Sequence, residues 1–309
     1  MTATTRYRLL TRGDLDGLIC AVLLKHLDMI DKIELIDDPG LLQQNKIPVS
    51  ARDIITNLPF VSGVHLAIDH HVSETLRIDE NPRRIIDPTA PSAARVVYEH
   101  FGGKSRFPGF FDEMMAAVDK ADSGKFTRDE ILKPEGWVLL NFLVDQRSHI
   151  EAWGKFCLPE NQFKLQLIDL CGQMPVHDIL LTSDCRERAE CYFAFQRQYA
   201  DMVKSSAAIH RNVIVLDFRN IEKIYPGNRF LPYAFYPECN LSLLIRYDRK
   251  NHKVTFSVGK SILNTTSDIN IGTMLLPYGG GGHAAAGACR VAPDKAEQIL
   301  TELLGKLIE

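Results

Sequence analysis

The chain has 309 residues, enough for two domains that each bury a core of their own. Hydrophobic residues make up 45% of it and charged residues 24%, as in ordinary globular proteins, and no apolar run approaches the ~20 residues of a membrane span. The net charge of -3 provides no bulk basic field, which disfavours long nucleic acid as a partner but permits small anionic ligands.

The first half of the chain alternates strand and helix patterns. We predict strands at 7–11, 33–37, 52–57, 64–68 and 83–86, and helices at 17–30, 91–101, 109–122 and 135–152. This alternation is typical of an α/β fold in which a parallel sheet carries helices on both faces.

The second half changes character near residue 212. Residues 159–210 have helical spacing of their apolar positions, and strands are predicted at 212–218, 241–247 and 253–259 before an amphipathic helix at 294–308. The strands at 241–247 and 253–259 should form a hairpin. We therefore expect an α/β domain at 1–185, a connecting helix or linker at 186–211 and a smaller α/β domain at 212–309.

Two carboxylates follow the first predicted strand. Asp14 and Asp16 are two residues apart, so an extended loop would point both toward one side. Gly13 and Gly17 would let the backbone approach an ion or a phosphate closely. The alternative is an ordinary Asp/Gly turn with Asp16 capping the next helix, and for this motif alone it is the better explanation.

A second group of metal-type ligands, Asp69, His70 and His71, follows the apolar strand at 64–68. In open α/β sheets, ligands bind beyond the carboxyl ends of the strands. Imidazole and carboxylate together suit divalent transition metals, and the carboxylates favour manganese or magnesium-like ions. The alternative is a surface turn with chance histidines.

Four consecutive glycines at 279–282 precede His283 and a run of small residues. We predict a tight loop that enters a helix, whose bare backbone amides form an anion-binding nest with His283 as a further donor. A flexible linker is the alternative.

The seven cysteines are scattered and form no CxxC pair. Free thiols in a reducing compartment are the simplest interpretation, and we expect a cytoplasmic protein.

Taken in order, these motifs resemble those of the DHH phosphoesterase family. The turn at 14–17 resembles the first family motif, the triplet at 69–71 the motif that names the family, and 121–126 the fourth motif. The run at 279–283 resembles the signature of the DHH-associated C-terminal domain. The match spans nearly the whole chain and is strongest with the exopolyphosphatase-like and oligoribonuclease-like group.

The resemblance implies a divalent metal, usually Mn²⁺ with Mg²⁺ possible, bound as one or two ions that activate water against a phosphate ester or anhydride. Carried over residue by residue, the metal ligands are Asp14, Asp16, Asp69, His70 and Asp122. His71 would act beside the metals, on the phosphate or the leaving group. The second domain would bind the substrate through Gly280, Gly281, Gly282, His283 and Arg246. An edge-strand salt bridge is the alternative for Arg246, ranked just below phosphate contact.

Two positions depart from the family pattern. Many members have a histidine shortly before the first aspartate pair, where this chain has Leu10 and no imidazole. Many also have an aspartate at the end of the strand before the DHH strand, where this chain has Asn57. Asparagine is neutral and cannot supply an anionic bridge between two cations; Asp37 and Asp38 are candidate substitutes. A single-metal site therefore stays open.

The leading prediction is a metal-dependent phosphohydrolase that acts on a short oligonucleotide, a nucleotide phosphate or polyphosphate, with a slight preference for the first two. The alternative is a catalytically weakened regulatory protein that binds nucleotides or phosphate, which the departures at Leu10 and Asn57 favour. A nuclease acting on long DNA is disfavoured by the net acidity. No membrane partner is expected, and a homodimer is possible.

Overall fold

The computed structural model describes residues 5–75 and 81–308. The strands are β1 (Tyr7–Thr11), β2 (Ile30–Leu35), β3 (Asp53–Thr56), β4 (Leu66–Asp69), β5 (Arg84–Ile86), β6 (Ala207–His210), β7 (Val213–Asp217), β8 (Leu241–Asp248), β9 (Lys253–Lys260), β10 (Gly281–Gly282) and β11 (Ala286–Val291). The α-helices are α1 (Leu15–His26), α2 (Pro39–Gln43), α3 (Val72–Thr75), α4 (Ala93–His100), α5 (Phe111–Asp122), α6 (Arg128–Leu132), α7 (Gly136–Val144), α8 (Glu160–Cys171), α9 (Val176–Leu180), α10 (Ser183–Ala194), α11 (Gln196–Ser206), α12 (Leu231–Phe235), α13 (Ile271–Leu275) and α14 (Ala296–Leu307).

Contacts within the chain define two compact units. The first contains Met1–Lys125 and Glu135–Glu190, and the second contains Phe126–Pro134 and Cys191–Glu309. The domain boundaries proposed from the sequence stay a prediction. Within the described ranges, no helix is long and apolar enough to cross a membrane.

The first unit contains a five-stranded sheet in the order β2-β1-β3-β4-β5, and every neighbouring pair is parallel. Helices flank it, so the predicted α/β class is confirmed. The strand order reverses between β1 and β3. In doubly wound sheets this reversal opens a crevice at the carboxyl ends of the strands.

Helix α1 lies in the centre of the first core. Its side chains from Leu15 to Leu24 are buried on all sides, as expected for a helix that is apolar all round. It packs against α4, α5 and α8. The start of α1, which carries Asp14 and Asp16, is therefore fixed against the rest of the unit.

The second unit contains a six-stranded mixed sheet in the order β10-β11-β9-β8-β7-β6. Strands β7 and β8 are parallel, whereas the other neighbouring pairs are antiparallel. The predicted hairpin is β8–β9, and the predicted closing helix is α14, which buries Ile299, Leu303 and Leu307 in this core.

Two predicted helices are wrong in extent. The helix predicted at 135–152 ends at Val144. The Asp145 side chain accepts a hydrogen bond from the Arg147 N–H and so starts a 3₁₀ turn (Gln146–Ser148). His149 then adopts a left-handed backbone, with φ 58°, which an α-helix does not allow. The helix predicted at 186–211 is divided into α10 and α11 and is followed by strand β6.

Candidate metal centre

Polar side chains of the first unit gather at the carboxyl ends of three neighbouring strands. Asp14 follows β1, Asn57 follows β3, and Asp69 ends β4. The Asn57 Nδ2 donates to Asp14 Oδ1 at 2.9 Å, across the point where the strand order reverses. This crevice is where an open α/β sheet binds its ligand.

Asp14, not Asp16, caps helix α1. Its Oδ1 also accepts from the Gly17 N–H at 3.1 Å, and its Oδ2 lies 3.1 Å from Arg12 Nε. The turn requires glycine at 17, because a Cβ there would lie 2.1 Å from the Arg12 carbonyl oxygen. The alternative of an aspartate that caps α1 is therefore confirmed for this turn, but the capping residue is Asp14 and not Asp16.

Asp16 points into the protein and is only 2% exposed. Its two oxygens accept the N–H groups of Ala93 and Ala94, at 3.0 and 2.8 Å, where helix α4 begins. Burial raises the pKa of Asp16 well above its usual range, the charges of Asp122 and Asp14 raise it further, and the N–H bond from Ala94 opposes them. A positive charge beside these carboxylates would favour the ionised form.

His70 has the hydrogen bonding of a metal-ligand histidine. Its Nδ1 lies 3.1 Å from the carbonyl oxygen of Ala90, which only accepts, so Nδ1 carries the proton. Its Nε2 lies 3.0 Å from Asp122 Oδ2, but the geometry is not that of a hydrogen bond, and within the described residues this buried nitrogen has no hydrogen-bond partner. A ligating histidine donates its other ring N–H to a carbonyl or carboxylate in just this way.

The charge around His70 is that of a site built for a cation. Burial lowers the pKa of His70, but Asp122 and then Asp16 outweigh it and raise the pKa to about 9. A positive charge is therefore strongly favoured beside these carboxylates. The imidazolium supplies it when no cation is bound.

Two groups of ligand atoms meet at His70. Atoms of Asp16, His70 and Asp122 lie within 4.8 Å of one another, and so do atoms of Asp69, His70 and His71. Oxygen and imidazole donors of this kind suit divalent metals. The residues present therefore fit the metal that the sequence predicts. Asp14 lies beside these groups, held by Asn57 and Arg12.

Asp69 fixes the orientation of His71. Its Oδ1 accepts the His70 backbone N–H at 2.8 Å and contacts His71 Nδ1 at 2.7 Å. Because a carboxylate only accepts, Nδ1 of His71 carries a proton, and Nε2 is the second nitrogen at which the ring can gain or give one.

The glycine run does not enter a helix, so that prediction is wrong. Gly281 and Gly282 form β10, which pairs with β11 in a tight hairpin closed by the His283 N–H on the Ala286 carbonyl at 2.7 Å. Close backbone approach explains two glycines: a Cβ on Gly280 would lie 2.5 Å from the Ala288 oxygen, and one on Gly282 would lie 2.3 Å from the Ala286 oxygen.

Arg246 lies on β8, between β7 and β9, and is therefore not on an edge strand. Burial lowers its pKa from the usual value. The edge-strand salt bridge offered for Arg246 is wrong in its placement.

Sequence reasoning missed a buried lysine beneath the first motif. Lys164 of α8 is 1% exposed, its Nζ contacts Glu160 Oε1 at 2.6 Å, and a Cβ built on Gly13 would lie 3.1 Å from that Nζ. The same Cβ would lie 3.4 Å from Asp37 Oδ1, so Asp37 borders the turn. Asp38 instead caps α2. No local pattern marks Lys164, because its burial depends on how α8 packs.

No protein-family model matches the chain, and no curated protein does. Among solved structures, the chain is similar to the pGpG-specific phosphodiesterase PggH from Vibrio cholerae, with 44% identity and a TM-score of 0.83 over 98% of this chain and 99% of that one. The chain belongs to the DHH phosphoesterase family.

More distant structures share the fold of this DHH protein. RecJ from Thermus thermophilus in complex with Mn²⁺ has a TM-score of 0.53 at 14% identity, over 98% of this chain and 52% of that one. An exonuclease RecJ bound to manganese has a TM-score of 0.52 at 14% identity, over 98% of this chain and 90% of that one.

The predicted family and general activity are thereby confirmed. The chain is a phosphohydrolase of this family, and its candidate centre has the oxygen and imidazole donors of a divalent-metal site. The alternative of a weakened regulatory binder has no support.

Proposed function

We propose that this DHH protein hydrolyses short linear dinucleotides of the pGpG type into mononucleotides. The observation that carries the proposal is the 44% identity, over nearly the full length of both chains, with a phosphodiesterase specific for pGpG. In this reaction water attacks the internal phosphorus, the bond from phosphorus to the 3′ oxygen breaks, and two molecules of GMP form. This ranks short oligonucleotides above polyphosphate.

The ligands proposed for the divalent metal are Asp16, His70 and Asp122, with Asp14 and Asp69 beside them. Two observations support this assignment: the buried His70 Nε2 has no hydrogen-bond partner within the described residues, and the carboxylates repel one another. When bound, the metal would neutralise charge on the phosphoryl oxygens and lower the pKa of the attacking water. Manganese is the proposed ion and magnesium the alternative.

His71 is proposed to handle the proton of the leaving group. With Nδ1 turned to Asp69, the ring would give a proton from Nε2 to the departing 3′ oxygen, while the Asp69 carboxylate stabilises the imidazolium before transfer. Asn57 and the α4 amides act indirectly, because they orient the carboxylates of Asp14 and Asp16.

Contacts of the second unit with the substrate stay part of the proposal. Gly280, Gly281, Gly282, His283 and Arg246 remain the candidates. The glycine hairpin supports a role in which a substrate group approaches its backbone closely. A Cβ built on Gly281 would meet no atom within 4 Å, so this face of the hairpin is open. A cytoplasmic location also belongs to the proposal, and the free thiols of Cys20, Cys157, Cys171, Cys185, Cys239 and Cys289 support it.

The test is product analysis with purified, metal-stripped protein. Mn²⁺ or Mg²⁺ is returned, and pGpG, pApA, polyphosphate and a long single-stranded DNA are supplied in parallel. We expect Mn²⁺ to restore cleavage of pGpG to GMP, His71→Ala to lower kcat, and the long DNA to remain intact. Shortening of polyphosphate without cleavage of pGpG would overturn the proposal, and so would equal activity in the presence of excess chelator.

A further inference from the structure

The first unit holds a cavity that the chemistry described above does not use. Its volume is about 210 Å³, and it lies where α7 ends and the chain turns back through residues 145–152. The left-handed backbone of His149 makes this reversal. Asp145, Ser148, Glu151 and Glu160 are among the residues that line it.

Each carboxylate of the wall already has a cationic partner. Asp145 contacts Arg147 Nε at 2.7 Å, Glu151 contacts Arg188 Nε at 2.7 Å, and Glu160 contacts Lys164 Nζ. The wall is thus compensated in charge and offers little to a metal cation. Its carboxylate oxygens can still accept hydrogen bonds from the N–H groups of a neutral ligand, since each carboxylate has about four acceptor sites.

Glu151 is held by a buried and rigid partner. Arg188, which contacts its Oε1, is fully buried between the rings of Phe156 and Phe163 and also donates to the Leu158 carbonyl at 2.7 Å. An acceptor fixed in this way loses little freedom when a ligand binds.

The cavity adjoins the first motif of the metal centre. Glu160 in its wall contacts Lys164, whose Nζ borders Gly13, the neighbour of Asp14. Partial burial lowers the pKa of Arg147, but Asp145 and then Asp14 and Asp122 raise it above its usual value. Arg147, between the wall residues 146 and 148, is therefore within electrostatic range of the metal centre.

We propose that this cavity binds one guanine base of the dinucleotide and that Glu151 accepts its N1–H and N2–H₂ groups. The proposal rests on the proposed function. About 210 Å³ is below the roughly 300–1,000 Å³ of pockets that enclose drug-sized ligands, so the cavity holds a single base, not a dinucleotide. Guanine presents two adjacent donors on one edge, which one carboxylate can accept together, whereas adenine presents none at N1.

The first test uses the substrate. Inosine differs from guanosine only in lacking the N2 amino group, so pIpI removes this donor from both bases of pGpG, and the Glu151 variant then identifies the share that belongs to the cavity. We expect the unmodified protein with Mn²⁺ to prefer pGpG in kcat/KM by about 10- to 100-fold, the range for a hydrogen bond to a charged group. The ratio should fall toward one in Glu151→Gln, whose amide cannot accept both donors.

Glu187→Gln is the matched control. Glu187 also contacts Arg188, at 3.4 Å, but it is not among the residues that line the cavity. This variant therefore removes a carboxylate from the same guanidinium, and its ratio of kcat/KM for pGpG to that for pIpI should equal that of the unmodified protein. Ala152→Phe fills the cavity from an exposed lining position, breaks no ion pair, and should weaken pGpG more than pIpI.

The proposal is overturned if the unmodified protein cleaves pGpG and pIpI with nearly equal kcat/KM. It is also overturned if both Glu151→Gln and Ala152→Phe keep the full preference for pGpG. Calorimetric binding of GMP against IMP gives the same ratio without turnover. If neither dinucleotide is cleaved, the proposed function fails, and the GMP-to-IMP ratio alone decides the base site. If pGpG is cleaved without discrimination, the base site fails and the function stands.

Discussion

Two aspartates of helix α5 should respond in opposite ways to the same substitution. Asp122 ends the helix, 3.0 Å from His70 Nε2, and its charge repels Asp16. Asp119, almost one turn earlier, accepts from Arg95 Nε at 2.9 Å and from Ser92 Oγ at 2.7 Å. We predict that Asp122→Asn abolishes the response to metal, whereas Asp119→Asn lowers stability and keeps that response.

The magnitudes follow from these contacts. In Asp122→Asn the lost attraction to His70 and the lost repulsion of Asp16 oppose each other, so the free energy of unfolding without metal should change by less than about 1 kcal/mol. Mn²⁺ at 100 times its Kd stabilises a folded protein by about 2.7 kcal/mol. For a domain of about 150–250 residues this raises Tm by about 5–11 °C.

Asp119→Asn loses charge-assisted hydrogen bonds that are only partly buried. We expect a cost near the lower end of about 1.5–3 kcal/mol, because solvent screens the pair. Its Tm should fall with or without Mn²⁺, and the increase caused by Mn²⁺ should equal that of the unmodified protein.

The assay is thermal unfolding of all three proteins in chelator and in saturating Mn²⁺. The reasoning is refuted if Asp122→Asn retains the full Mn²⁺ increase in Tm. It is also refuted if Asp119→Asn loses that increase, since Asp119 would then be part of the metal site.

Two further predictions concern Asn57 and Asp53. Asn57→Asp would place a second carboxylate against Asp14, so we expect the metal-free protein to lose about 1–3 kcal/mol of unfolding free energy and Mn²⁺ to restore it. Unfolding of the variant in chelator and in Mn²⁺ measures this difference. Equal stability under the two conditions would contradict the prediction. Burial raises the pKa of Asp53, but the hydrogen bonds of Arg8 and Ser50 outweigh it and hold the pKa below its usual value. A carboxylate with a lowered pKa stabilises the fold above about pH 4, and this stabilisation is lost as the pH falls through the folded-state pKa. The unmodified protein should therefore be more stable than Asp53→Asn by about 1.5–3 kcal/mol at pH 7, and urea unfolding should give a smaller difference at pH 3. The same difference at both pH values would contradict the prediction.

The parallel sheet and its polar strand ends were predictable because their signals are local. Strands β1 and β4 are short runs that end at Thr11, three residues before Asp14, and at Asp69, and the carboxyl ends of parallel strands face one edge of the sheet. Two motifs 55 residues apart therefore indicated one neighbourhood.

The partners that hold these side chains were not predictable. Asp16 is bound by amides 77 and 78 residues away, which depends on how α4 packs against α1. Asn57 was noted as a missing charge, yet its amide donates to Asp14 and so orients the carboxylate through a hydrogen bond instead.

The glycine run shows where local preference fails. Alanine-rich residues after His283 favour a helix, but backbone atoms of β11 approach Gly280 and Gly282 so closely that the segment forms a hairpin. The predicted helix at 135–152 failed for a similar reason, and the cavity at 145–152 exists because that helix stops at Val144.

The most direct test of the account is a crystal soaked with Mn²⁺ and measured for anomalous scattering. We expect a peak within bonding distance of His70 Nε2, with carboxylate oxygens of Asp16 and Asp122 around it, and we expect this peak to disappear in Asp122→Asn. Manganese bound elsewhere in a crystal of active protein, with His70 Nε2 still about 3.0 Å from Asp122 Oδ2, would rule out a metal centre at His70.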